Sequence, residues 1–164
     1  MEILTKSARQ TQKLGEKIAN QLTIKHKQSL MLRNKPLIIA LTGELGSGKT
    51  TFVQGLAKGL GIKKRVLSPT FIMMRQYSII NHKQSLLLRN KSSIINFYHI
   101  DLYRVENEKD VRGLGLSEIW SNPENIVAIE WAEKIKKILP KKRIDIRFNY
   151  LNNNQRKITI SHKL

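Results

Sequence analysis

The sequence has no cysteine among its 164 residues. Disulfide frameworks, thiolate metal sites and thiol redox chemistry are therefore excluded. It also lacks any apolar run near the roughly 18 residues of a membrane span, and its opening stretch, MEILTKSARQTQKLGEKIA, has no apolar block of the secretory kind. A soluble, cytoplasmic protein with no membrane partner is expected. Acidic residues are scarce, 12 Asp and Glu against 30 Lys and Arg, for a formal charge of +18. Such a balance suits a polyanionic partner. The surplus is spread along the chain together with many Asn and Ile, and only IKKILPKKR (residues 135–143) is locally dense. A composition-wide bias therefore competes with selected RNA or DNA binding as its cause.

What is present suits one core, since 40% hydrophobic residues in a chain of this length support a single domain over 1–164. In SARQTQKLGEKIANQL (residues 7–22) the residues Ala8, Thr11, Leu14, Ile18 and Leu22 recur at helical spacing, and Ser7 with Gln10 fits a capping box. PLIIAL (36–41) is a short continuous apolar run, as in a buried strand of a parallel sheet. TTFVQGLAKGLG (50–61) predicts a second helix stopped at Gly59 and Gly61. NFYHIDLYRV (96–105) and NIVAIEWA (125–132) read as strands ending in carboxylates. RIDIRFNYL (143–151) and RKITI (156–160) alternate with period two around NNNQ, the pattern of a hairpin. The order is that of an α/β fold.

Chemistry is concentrated in GELGSGKT (43–50), which satisfies G-x-x-x-x-G-K-[ST] at every defined position. With a strand before it and a helix after it, this loop wraps backbone N–H groups and a positive helix end around a phosphate chain. Gly43, Gly46 and Gly48 allow the close backbone approach, Lys49 reaches the β and γ phosphates, and the Thr50 hydroxyl can ligate Mg²⁺. Such a site needs a carboxylate at the end of a neighbouring strand, and the chain offers two, Asp101 after FYHI and Glu130 after IVAI. Periodicity leaves their roles open, including that of ion-pair partner to the surrounding Lys and Arg. In SPT (68–70), Thr70 is placed to sense the γ phosphate or its Mg²⁺, with an ordinary Ser-Pro turn as the alternative.

Taken in order, GELGSGKTTF, SPTF, HIDLYRV, IEWAEK and a nearby LP resemble the bacterial tRNA threonylcarbamoyladenosine biosynthesis family TsaE, also called YjeE, over nearly the whole chain. The resemblance implies a P-loop NTPase-like fold, a mostly parallel sheet flanked by helices with an antiparallel C-terminal hairpin. It implies an ATPase that uses ATP and Mg²⁺ alongside TsaD and TsaB, whose assembly modifies adenosine 37 of tRNA, so that tRNA is met indirectly through the complex. By the same resemblance Gly43, Leu45, Gly46, Ser47, Gly48, Lys49, Thr50 and Thr51 hold the nucleotide, with Thr50 and Glu130 on the metal. Asp101 matches an Asp required for activity, Thr70 a switch residue, Trp131 an aromatic beside the nucleotide, and Arg156 a C-terminal segment approaching it. Phe71 stands where the family often has Tyr, which removes a hydroxyl and keeps the ring. The expected reaction is in-line attack of water on the γ phosphate, with Lys49 stabilising charge and Asp101 or Glu130 orienting the water. No arginine finger is distinguishable among the many Arg residues. A small P-loop kinase and a basic RNA-binding accessory protein are the alternatives.

One pattern remains. HKQSLMLRNK begins at His26 and returns at His82 as HKQSLLLRNK. A solenoid needs about three stacked units. Two nearly identical copies in unlike surroundings read instead as one mobile coding element inserted into two surface loops, near 24–35 and 80–93. Loop-closure entropy tolerates such an insertion.

Overall fold

The computed structural model describes residues 1–29, 35–80 and 94–161. Its strands are β1 (Glu2–Thr5), β2 (Leu37–Gly43), β3 (Met74–Ile80), β4 (Ile94–Asp101), β5 (Asn125–Glu130), β6 (Ile144–Tyr150) and β7 (Arg156–Ile160). They form one sheet in the order β1-β7-β6-β2-β5-β4-β3. The four central strands, β6, β2, β5 and β4, run parallel. Both edges are antiparallel, β3 on β4 at one side and the β6–β7 hairpin with β1 at the other. The expected architecture is therefore present, with parallel pairing confined to the centre.

A parallel strand covered on both faces reads as a continuous apolar run, and β2 does from Leu37 to Leu41: Leu37, Ile39 and Leu41 face one layer and Ile38 and Ala40 the other. The first layer is α1 (Ala8–Ser29) and α2 (Lys49–Gly59). The second is a 3₁₀ segment (Glu108–Leu114), α3 (Leu116–Ser121) and a short 3₁₀ turn (Ala132–Ile135). Helices α1 and α2 touch backbone to backbone. A Cβ on Gly15 would collide with the Phe52 carbonyl oxygen, and one on Gly55 with the Gln12 carbonyl oxygen. Glycine at those positions sets the depth at which the P-loop helix sits.

Helix α1 starts close to expectation. Gln10 N–H donates to Ser7 Oγ at 3.2 Å, while the Gln10 side chain accepts from the backbone of Lys6, one residue earlier than the usual reciprocal bond. Two boundaries differ from the sequence reading, those of β1 and α1. β1 was not anticipated, because EILT is short and acquires strand form only by pairing with β7 at the sheet edge. β4 ends at Asp101, the carboxylate expected to close it, where Asp101 Oδ1 accepts from the Tyr103 amide and folds the chain into a turn. α1 continues through Ser29, so the expected inserted loop near 24–35 begins as helix; no Gly or Pro occurs between Gly15 and Pro36 to stop it. Residues 30–34 and 81–93, which hold most of the rest of that segment and the whole of the second copy, lie outside the described residues.

Candidate active site

Alternation along β4 and β5 decides what meets at the sheet's C-terminal edge. Asp101 and Glu130 end adjacent parallel strands and are register partners. Both are buried. Beside them β2 runs into the loop of residues 43–50, where Gly43, Gly46 and Gly48 all take positive φ. A Cβ on Gly43 would strike the Phe148 carbonyl oxygen, so β6 holds that end of the loop tight. The first-turn amides of α2 have no intrahelical acceptor, and the turn holds no acidic residue. An anion fits this end of the helix on both counts.

Lys49 opens α2, folds its side chain back toward the start of the loop and is only 4% exposed. Its Nζ donates to the carbonyls of Gly43 at 2.6 Å and Glu44 at 2.8 Å, and sits 3.9 Å from the centre of the Trp131 ring. Burial lowers its pKa from the ordinary lysine value, opposed by the nearby carboxylates of Glu130, Glu133 and Asp101. Trp131 reaches this position because it adopts φ 59 at the end of β5. A left-handed conformation costs a non-glycine residue about 1–2 kcal/mol, a cost concentrated here beside the P-loop lysine.

The two carboxylates have different partners. Glu130 Oε2 accepts from Thr50 Oγ1 at 2.8 Å, and its Oε1 pairs with His99 Nε2 at 2.7 Å. Asp101 Oδ2 accepts from the hydroxyls of both Ser68 and Thr70 at 2.5 Å, which are themselves 2.6 Å apart. Glu130 is thus tied to the P-loop and Asp101 to the SPT loop. The contact between Glu130 Oε1 and His99 Nε2 needs one proton between the two atoms, and His99 Nδ1 is buried with no partner among the described residues.

The structure brings every expected residue to this place. Leu45, Gly46, Ser47, Gly48, Lys49, Thr50, Thr51, Thr70, Asp101, Glu130 and Trp131 line one cleft of 490 Å³. Gly43 closes its base through the Lys49 bond, and Arg156 Nη2 donates to the Gly46 carbonyl at 3.1 Å from the start of β7. Phe71 stands at the rim, 81% exposed, under the Arg104 guanidinium at 4.3 Å. Two residues were missed by sequence reasoning, His99 and Ser68. His99 sits two positions before Asp101, so period two alone would have put it on the same face. The donor set also fits Mg²⁺. One hydroxyl and one carboxylate in contact offer hard oxygens, and no cluster of three metal-ligating side chains occurs among the described residues. Mg²⁺ is commonly held in this sparse way, with phosphates and water completing the shell.

Residues 5–158 match the family model for threonylcarbamoyl adenosine biosynthesis protein TsaE. The chain belongs to the TsaE family. Among its relatives, the TsaE of Bacillus subtilis strain 168 is 35% identical over 76% of this chain and 68% of its own. That of Haemophilus influenzae is 30% identical over 84% of this chain and 75% of its own. The crystal structure of Bacillus subtilis YdiB superimposes with a TM-score of 0.66 at 26% identity, covering 98% of this chain and 83% of that one. The chain therefore has a role in tRNA threonylcarbamoyladenosine biosynthesis. No helix among its described residues is long and apolar enough to cross a membrane.

Proposed function

We propose that this TsaE family member binds ATP with Mg²⁺ and hydrolyses its β,γ bond, as the cytoplasmic ATPase that works with TsaD and TsaB in tRNA modification. The observation that carries this reading is the 2.8 Å contact between Thr50 of the P-loop and Glu130 at the end of β5, with Lys49 between loop and Trp131. Held by Thr50 and Glu130, Mg²⁺ would supply positive charge to the β and γ phosphates. The amides of the loop and of the first turn of α2 bind the phosphate oxygens. Lys49 exchanges its two carbonyl acceptors for those oxygens and stabilises charge as the bond to the β phosphate breaks.

Asp101 is the better candidate to orient the attacking water. Glu130 is held by Thr50 and His99, whereas Asp101, anchored through Oδ1 by the Tyr103 amide, turns Oδ2 to two hydroxyls of a loop that line the same cleft. As Ser68 and Thr70 turn to the nucleotide, that oxygen becomes free to accept from water. Hydrolysis kinetics test the assignment. Lys49→Ala should abolish ATP binding, and Glu130→Ala and Asp101→Ala should each lower kcat by about 100-fold or more. Parent-like hydrolysis by Lys49→Ala and Glu130→Ala would show the site to be elsewhere.

A further inference from the structure

Charge is segregated between the two layers that cover the sheet. Between Lys6 and Arg75 the only carboxylates are Glu16 and Glu44, whereas nine of the 12 lie between Asp101 and Asp145. The α1–α2 layer is consequently basic. On α1, Arg9, Lys13 and Lys17 are exposed and spaced by four residues, which places them on one outward stripe about 6 Å apart along the axis. Glu16, the one acid of the layer, is engaged by Lys58 of α2 at 3.1 Å.

Beyond α2, Lys63, Lys64 and Arg65 are exposed in the loop that leads to the SPT residues. With Lys58, Gln12 and Gln54 they line a cleft of 300 Å³ that no carboxylate of the described residues lines. Gln54 fixes the floor, donating to the Val66 carbonyl at 3.1 Å. Among the described residues none of Arg9, Lys13, Lys17, Lys63, Lys64 or Arg65 has an ion-pair partner.

This arrangement works against stability. Like charges four residues apart repel along a helix, and a cation in the first turn opposes the helix dipole. Helix α1 has both features and no acidic residue in its first turn. We infer that the α1–α2 face, centred on the Lys63–Lys64–Arg65 cleft, binds the phosphate backbone of tRNA directly, independently of the nucleotide site. The choice of tRNA rests on the family's role in tRNA modification. The ligand class rests on repeated cations, which suit a repeated anion, and on neutral amide side chains in the cleft wall, which hydrogen-bond phosphate and sugar oxygens. A lipid surface is disfavoured because the apolar side of α1, with Ile18, Ala19 and Leu22, is spent in the core. Val66 also lines the cleft and only Leu67 separates it from Ser68 along the chain, so bound RNA would lie next to the hydroxyls that hold Asp101.

The test is anisotropy of a fluorescein-labelled, unmodified tRNA transcript titrated with the full chain, without ATP or partner proteins, over a series of salt concentrations. Lys63→Glu/Lys64→Glu/Arg65→Glu should weaken binding at least about tenfold and reduce the slope of log affinity against log salt by about 2–3, as expected for three lost phosphate contacts. Lys137→Glu/Lys141→Glu/Lys142→Glu, exposed on the opposite layer with the same change in net charge, should stay within about threefold of the parent. ATP binding, read in parallel, should be unchanged in both. Equal weakening by the two triple variants would reduce the effect to net charge and overturn the proposal. Absence of tRNA binding even at low salt would also overturn it, and would point to an acidic protein as the occupant. Neither result touches the ATPase assignment, which is measured on other residues.

Discussion

His99 is fully buried, bonds Glu130 through Nε2 and has no partner for Nδ1 among the described residues. A buried imidazole in that state costs free energy, so its contribution is to the geometry of Glu130. As a positioning residue it makes a specific prediction. His99→Leu should raise the Mg²⁺ concentration needed for half-maximal hydrolysis by about 10–100-fold, the usual effect of losing an outer-shell partner, while His99→Gln, which restores an N–H donor, should recover most of it. Equal defects in the two variants, tracking a common fall in Tm, would mean that His99 only fills space. Residues of this kind were the least legible in the sequence. Lys49, Thr50, Asp101 and Glu130 announce themselves by motif and by strand ends, whereas His99 and Ser68 act only through a carboxylate contributed by another position.

Among elements, the helix pair shows where pattern reading succeeds and where it runs out. Apolar spacing located both helices, and Gly59 with Gly61 marked the end of α2, where Gly61 takes φ 85. Spacing could not reveal that α1 and α2 touch at backbone distance, because that contact is made by residues without side chains. The consequence can be measured at Gly55. Alanine ordinarily stabilises a helix relative to glycine by about 1 kcal/mol. Here the new Cβ would meet the Gln12 carbonyl oxygen, so Gly55→Ala should destabilise by about 2–3 kcal/mol, roughly 5–10 °C in Tm. A raised Tm would show that the helices can separate without cost. The central strand ends were legible as carboxylates, whereas the edge strand β1 was not. β4 ends where the Asp101 side chain captures the Tyr103 amide, and β1 exists because β7 offers it an edge.

Over the whole molecule, the P-loop and four ordered motifs made the fold and family legible, and composition made the charge legible without its distribution. Nine carboxylates beyond residue 100 are visible in the sequence, but only the topology assigns the acid-poor first half to one layer. The repeated decapeptide belongs to this scale as well. β3 and β4 pair in register up to Ile80 and Ile94, so a two-residue Asn-Gly turn could join them in place of residues 81–93. Reading that segment as an insertion, we expect the shortened chain to keep the ATP affinity of the parent and to lose no more than about 1 kcal/mol of stability in denaturant titration. Loss of ATP binding on this deletion would give the repeat a functional place in the fold.

The central claim is that the Lys49, Asp101 and Glu130 site hydrolyses ATP in support of tRNA modification. It is tested most directly by tRNA threonylcarbamoylation with TsaB and TsaD under multiple-turnover conditions, comparing no addition, this protein, and its Glu130→Ala variant. The account predicts repeated turnover with the parent protein and, with the variant, no more product than without addition. Equal product with the parent and with Glu130→Ala would contradict it.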